Sequence, residues 1–147
     1  MRLVLDTNVF VSAVFFGGVP GQLLNLWRDG AVDLLLSSSI LSEYAEVLKR
    51  LSQRYPETEP EPILSLAVRR GTFVQPETMS SDICADPDDD KFFLAAAAGA
   101  CHLIISGDRH LLNASGWRGI EVVRPATFIR RFRSEHEHSP VRPGRRR

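Results

Sequence analysis

Two acidic residues stand close to the ends of predicted buried strands. Asp6 follows the apolar residues 3–5 directly, and Asp108 stands three residues after a second apolar run, residues 103–105. Short continuous apolar runs are typical of strands in parallel sheets. Because such sheets bind ligands at the carboxyl ends of their strands, both carboxylates are candidate site residues. The alternatives are a helix cap for Asp6 and a turn residue for Asp108.

The densest acidic segment is the loop 86–90, which has four carboxylates in five residues. Capping a helix needs one or two acids, so four that repel one another indicate a cation. A calcium loop is excluded, because Lys91 stands where that loop needs glycine and Ala97 where it needs glutamate. Asp90 is the predicted ligand of this segment. Because the acids are adjacent, the ligand could instead be Asp89 or Asp88, one or two residues earlier.

Glu43 is the fourth candidate acid. It lies at the flank of the apolar face of a predicted helix, and it is four residues after Ser39, whereas a capping box needs three. A solvated position is the alternative. Clustered carboxylates are hard oxygen ligands that suit Mg²⁺ or Mn²⁺. The four histidines form no predicted cluster of the kind that zinc needs.

The elements that must position these acids alternate between strands and helices. Strands are predicted at 3–5, 32–36, 72–74, 103–105 and 120–123. Helices are predicted at about 22–28, 40–51, 62–70, 90–99, 109–112 and 125–132. This alternation predicts an α/β fold with three layers, α/β/α, around a mostly parallel central sheet.

The length of 147 residues predicts one domain over residues 1–132, followed by an Arg-rich tail over 133–147 that we expect to be disordered. The zero net charge hides an asymmetry, because the chain from Arg130 onward has a balance of +5 and the rest −5. The tail could contact nucleic acid or be a solvated end.

The sequence also allows a prediction of the cellular compartment. No apolar run reaches the roughly 18 residues of a membrane helix. The N-terminus is too short and too acidic for a signal peptide. Cys84 and Cys101 are too few for a disulfide scaffold and are expected to be reduced. We therefore expect a cytoplasmic protein without membrane contact.

Four segments resemble, in order, the signature segments of PIN-domain nucleases. They are residues 6–9, the stretch that ends in Glu43 and Tyr44, residues 86–92 and residues 106–112. The resemblance runs from Arg2 to about residue 132, and it is strongest to the VapC-like branch, the toxin components of bacterial toxin–antitoxin pairs. One such segment alone would be weak, but four in the right order are specific.

This resemblance implies a metal-dependent endoribonuclease that uses Mg²⁺ or Mn²⁺. The acids that match the catalytic, metal-holding quartet are Asp6, Glu43, Asp90 and Asp108, and the matching small polar residues of the site are Thr7, Asn8 and Ser106. The implied reaction is in-line attack of water on an RNA phosphodiester, which leaves a 5′-phosphate and a 3′-hydroxyl. The implied partners are a second copy, giving a homodimer, and a cognate antitoxin protein.

Basic residues must offset the repulsion between an acidic site and RNA. Candidates are Arg109, beside Asp108, and Arg50 and Arg54 near the end of the predicted helix 40–51; each could also be a solvated surface charge. The apolar residues within 9–27 suit either a dimer or antitoxin surface or the core.

Two other functions stay open. One is a non-catalytic PIN-like domain that binds nucleic acid or protein and uses its acids structurally. The other is a haloacid-dehalogenase-like phosphatase, since a strand followed by Asp6-x-Asn8 resembles the start of those enzymes. There, however, Asn8 would stand where an acidic proton donor is needed.

Overall fold

The computed structural model describes residues 1–77 and 83–137. Its centre is a parallel sheet of five strands in the order β3-β2-β1-β4-β5. The strands are β1 (Arg2–Leu5), β2 (Asp33–Leu36), β3 (Thr72–Phe73), β4 (Leu103–Ile105) and β5 (Glu121–Val123). All five predicted strands are therefore present, each within one or two residues of its predicted position.

Seven helices surround the sheet within the described residues. They are α1 (Thr7–Phe15), α2 (Gly18–Arg28), α3 (Ser38–Ser52), α4 (Glu61–Arg70), α5 (Asp90–Ala98), α6 (Arg109–Asn113) and α7 (Pro125–Glu137). The predicted three-layer α/β/α architecture is confirmed. The sheet is wholly parallel, where the prediction was mostly parallel.

Strand β1 lies at the centre of the sheet and determines where the site can form. Leu5 is paired with Ile105 of β4, so these two neighbouring strands end level with each other. The strand order changes direction at β1, because β2 lies on one side of it and β4 on the other. Side chains that follow β1 and β4 therefore meet at a topological switch point, where α/β sheets bind ligands.

Helix α1 was not predicted. Six of its nine residues are apolar and five are buried, so the segment lacks the continuous polar face that makes a helix recognisable in a sequence. The helix forms here because Asp6 caps it and because it packs against α2 and α3. Helix α2 begins at Gly18, four residues before its predicted start at Gln22.

Helix α7 continues to Glu137, five residues beyond its predicted end at Phe132. The rings of Phe132 and His136 stack with their centroids 3.9 Å apart, and Arg133 donates a hydrogen bond of 2.7 Å to Gln22 of α2. The predicted disorder is thus wrong for residues 133–137. The rest of the predicted tail, 138–147, lies outside the described residues, as does Asp82 of the acidic loop.

The apolar N-terminal region contributes mainly to the core. Phe10 and Trp27, for example, are buried, whereas Phe16 is 61% exposed at the end of α1. No single helix among the described residues is long and apolar enough to cross a bilayer, and α1 with α2 meets that test only as a pair bent by 93°.

Tyr44 joins α3, α1 and the sheet. Its ring stacks on Phe10 with centroids 4.1 Å apart, and its hydroxyl donates a hydrogen bond of 2.5 Å to the carbonyl oxygen of Leu5. Burial raises the pKa of this phenol well above its ordinary value, so the hydroxyl remains a donor. Because Tyr44 is anchored at the end of β1, its neighbour Glu43 is held near the residues that follow that strand.

Candidate active site

Asp6 combines a structural contact with a place in the candidate site. One carboxylate oxygen, Oδ1, accepts a hydrogen bond of 2.8 Å from the backbone N–H of Val9 and so caps α1. The other, Oδ2, accepts a hydrogen bond from the hydroxyl of Ser106, which follows β4. The capping alternative is therefore correct, and it does not exclude a functional role, since each oxygen keeps a second lone pair.

Burial raises the pKa of Asp6 to about 6. The hydrogen bonds from Ser106 and Val9 offset part of the effect of burial on this pKa, and the negative charges of Asp108 and Glu43 make smaller contributions that raise it. The ionised form of Asp6 is thus costly in this site without a compensating cation.

Glu43 reaches the same place from α3. Its Oε2 accepts a hydrogen bond from the hydroxyl of Thr7, the first residue of α1. Its Oε1 lies 2.5 Å from the ammonium nitrogen of Lys91 on α5. The alternative of a freely solvated flank position is excluded by these two contacts.

The acidic loop contributes Asp89. Asp86 caps a short 3₁₀ turn by accepting a hydrogen bond of 3.0 Å from the backbone N–H of Asp88, and Asp89 ends that turn. Partial burial raises the pKa of Asp89 to about 6, and the charges of Asp108, Asp86 and Glu43 add to the shift. The nearby ring of His110, which has a nitrogen within 4.8 Å of an Asp89 carboxylate oxygen, lowers this pKa.

Asp90, the predicted third acid, faces another direction. Its side chain is buried and accepts hydrogen bonds from the backbone N–H groups of Cys84 (2.8 Å) and Ile83 (3.4 Å). Successive residues at a helix start point about 100° apart, so Asp89 and Asp90 cannot both face the site. In the described part of the chain the structure brings Asp89, rather than Asp90, to the other acids.

Asp108 and His110 complete the cluster at the start of α6. Asp108 accepts a hydrogen bond of 2.9 Å from the backbone N–H of His110, and its own N–H donates one of 2.9 Å to the Ser106 hydroxyl. A carboxylate oxygen of Asp89, one of Asp108 and a ring nitrogen of His110 lie within 4.8 Å of one another and could hold a metal ion. His110 was missed in the sequence; its signal is the spacing Asp-x-His at a helix start.

Four of these acids, Asp6, Glu43, Asp89 and Asp108, line one cavity of about 700 Å³. The predicted site residues on its wall are Asp6, Thr7, Asn8, Glu43, Arg50, Asp88, Asp89 and Asp108. Ser106 is buried behind Asp6, to which it is hydrogen-bonded. Arg109 lies on a neighbouring cavity that it shares with Asp108, His110 and Arg124. Arg54 is exposed and lies on neither of these two walls.

The fold and site define a class of protein: a three-layer α/β protein with clustered carboxylates at the switch point of a parallel sheet. A family model described as PIN domain matches residues 2–110, which is most of the chain and includes every acid of the cluster. The chain therefore belongs to the PIN-domain family, whose members are generally nucleases that use divalent metals. A comparison with curated proteins gave no match.

The residues present fit a divalent cation. The donors are carboxylates with one imidazole, which suit a divalent ion of this kind. Burial, with a further contribution from neighbouring acids, raises the pKa values of Asp6 and Asp89 to about 6, and a bound cation would offset the cost of ionising both carboxylates.

Lys91 is a cation already present in the cluster, and it leads to a prediction. Changing Lys91 to glutamine removes the ammonium group from Glu43, so we expect Mn²⁺ to bind about 3- to 10-fold more tightly, consistent with about 1 kcal/mol for a partly exposed charge. Calorimetric titration measures this. Lys49→Gln is the matched control, because it removes the same charge from an exposed position on α3. Equal or weaker binding by Lys91→Gln would contradict the prediction.

Proposed function

We propose that the protein is an endoribonuclease that hydrolyses RNA phosphodiester bonds with Mg²⁺ or Mn²⁺. The observation that carries the proposal is the convergence of Asp6, Glu43, Asp89 and Asp108 on one cavity at the ends of β1 and β4. Carboxylates with a purely structural role normally have separate hydrogen-bond partners. These four come from separate segments, and the charges of Glu43 and Asp108 add to the burial that raises the pKa values of Asp6 and Asp89.

The side chains have separable roles in this proposal. Asp89, Asp108 and His110 would hold the cation together with Asp6 and Glu43, which line the same cavity as the two aspartates. When bound, a divalent cation neutralises phosphate charge and lowers the pKa of a coordinated water. Ser106 and Thr7 fix the orientation of Asp6 and Glu43 through their hydroxyl groups, as partners of metal ligands commonly do.

Arginines flank the acids on two sides and would contact the RNA backbone. Arg50 lies on the α3 side and Arg109 and Arg124 on the α6 side. Arg50 is paired with Glu46 at 3.6 Å, but both side chains are largely exposed, so a phosphate can replace this weak pair. Cations on both sides of the acids suit a strand that passes through the site, which favours cleavage within a chain.

The biological role is proposed from the resemblance to VapC-like toxins. We propose that the protein acts in the cytoplasm as a toxin, as a homodimer, and is silenced by an antitoxin protein. The exposed ring of Phe16, with Phe15 and Tyr55 at centroid distances of 6.4 and 5.3 Å, supports an interface at that end of α1.

Incubation of the purified protein with end-labelled single-stranded RNA tests the enzymatic proposal. We expect internal cuts with Mg²⁺ or Mn²⁺, 5′-phosphate products, and loss of cleavage in EDTA. If the protein shows no EDTA-sensitive cleavage of any RNA, even at high Mn²⁺, the alternative of a non-catalytic binding domain is favoured. Hydrolysis of small phosphomonoesters without RNA cleavage would instead favour a phosphatase.

The neighbouring acids Asp89 and Asp90 give a sharper prediction. Asp89→Asn is expected to lower cleavage at least about 100-fold with little loss of stability, because it removes a ligand that costs free energy when ionised. Asp90→Asn is expected to lower the melting temperature, because Asp90 bonds the backbone at 83 and 84, while the folded fraction keeps most of its activity. Activity per folded molecule and thermal melts separate the two. If Asp90→Asn instead loses activity and Asp89→Asn loses stability, Asp90 is the third ligand, as the sequence predicted.

A further inference from the structure

We infer that a second cavity beside the acidic site is a binding site for one nucleobase of the RNA strand, with Phe73 as its stacking surface. The inference rests on the proposed function, since it names a substrate contact of the same site. It concerns residues at the carboxyl end of β3 and the start of α3, which the catalytic proposal does not use.

The second cavity has a volume of about 710 Å³, within the range of small-molecule sites. Phe73, Val74 and Leu94 give it an apolar wall. Phe73 is the last residue of β3 and is 45% exposed, so part of its ring is accessible to a ligand. An exposed aromatic face beside a nucleic-acid site is the feature on which unstacked bases bind.

This cavity adjoins the acidic one. Ser39 and Lys91 line both, so the two cavities share a wall. All strands are parallel and β3 is two strands from β1 in the sheet, so Phe73 and Asp6 lie at the same edge, about 10 Å apart by strand spacing. A strand whose phosphate lies among the acids would therefore bring a neighbouring base to Phe73.

The rim of the second cavity has the polar groups that a base needs. Gln75 offers both an amide donor and an acceptor, Glu77 offers acceptors, and Ser38 offers a hydroxyl, and all three are exposed. Such groups can pair with the edge of a single-stranded base. Lys91, at the shared wall, supplies the cation for the phosphate between the two cavities. This combination fits a nucleotide better than it fits an apolar peptide.

Binding of a short RNA that contains one abasic nucleotide, placed at each position in turn, tests the inference. Fluorescence anisotropy is measured with Mg²⁺ in the Asp6→Asn background, where we expect the RNA to stay intact. At one position, loss of the base is expected to weaken binding about 5- to 100-fold, the usual value of a base–aromatic stack. Phe73→Ala should weaken binding of the intact RNA similarly and remove most of the penalty at that position. Phe73→Trp should preserve both.

Val68→Ala is the control, because it removes an exposed apolar side chain from α4, away from both cavities. The inference is overturned if the abasic penalty in Phe73→Ala stays the same at every position, or if Val68→Ala has the same effect as Phe73→Ala. If the wild-type protein still cuts RNA in that case, only the base site fails. If the wild-type protein neither cuts nor binds any RNA, the proposed function fails and the base site fails with it.

Discussion

Replacing Asp6 by asparagine is expected to lower RNA cleavage at least about 100-fold while the protein stays folded. Substitutions of residues that only orient metal ligands already cost 10- to 100-fold in metal affinity or activity, so a ligand should cost more. The fold survives because the amide oxygen of asparagine can accept the hydrogen bond from the Val9 N–H that caps α1. Cleavage assays and circular dichroism check the two halves of this expectation.

The same variant is expected to melt at a higher temperature than the wild type in EDTA at neutral pH. Asparagine removes a buried charge that faces Asp108 and Glu43, and about 1–3 kcal/mol of stabilisation corresponds to the raised pKa of Asp6. Asp33→Asn, at the opposite edge of the sheet, is the control and should change neither quantity. Full RNA cleavage activity in Asp6→Asn would contradict the assignment of this site as a nuclease active site.

Asp6 is expected to make the metal-free protein less stable as pH rises. Most carboxylates in folded proteins have the opposite effect, because their pKa values are lowered by folding. Because the folded state raises the pKa of Asp6 from 3.8 to about 6, folded protein binds a proton that unfolded protein releases between these values. The contribution of Asp6 is therefore favourable below about pH 4 and is lost as pH rises through 6, by up to about 3 kcal/mol. Asp89 acts in the same direction, with a smaller effect because it is more exposed.

Comparison with Asp6→Asn isolates this effect from all other titrations. The difference in unfolding free energy between variant and wild type should be near zero at pH 4 and favour the variant by about 1–3 kcal/mol at pH 7. Saturating Mn²⁺ should remove that advantage, because the cation binds the ionised carboxylates. Urea titrations at several pH values provide the measurement. A difference that does not change with pH would show that the Asp6 carboxylate is not destabilised by its surroundings.

The positions of Asp6 and Asp108 could be predicted because their signal is local. A short apolar run identifies a strand, and the parallel arrangement brings the residues after each strand to one edge. The hydrogen bond from Ser106 to Asp6, which joins the ends of β4 and β1, agrees with that reasoning. Glu43 was predicted partly by elimination, and Tyr44 explains its placement, since the buried ring fixes α3 against Phe10.

The remaining features depend on tertiary packing. Helix α1 has no periodic polar face, so its burial between the neighbouring helices, rather than its own pattern, determines its conformation. The choice between Asp89 and Asp90 depends on rotation about the first turn of α5, which sequence spacing does not give. His110 and Phe73 lie at element ends, where function is decided by neighbours distant in the chain.

Diffraction from crystals soaked in Mn²⁺ tests the central claim most directly. We predict an anomalous difference peak inside the acidic cavity, within about 2.2 Å of oxygens from Asp89 and Asp108, and its loss in Asp108→Asn crystals. A cavity without a peak at saturating Mn²⁺, or a peak only at acids elsewhere on the surface, would contradict the account.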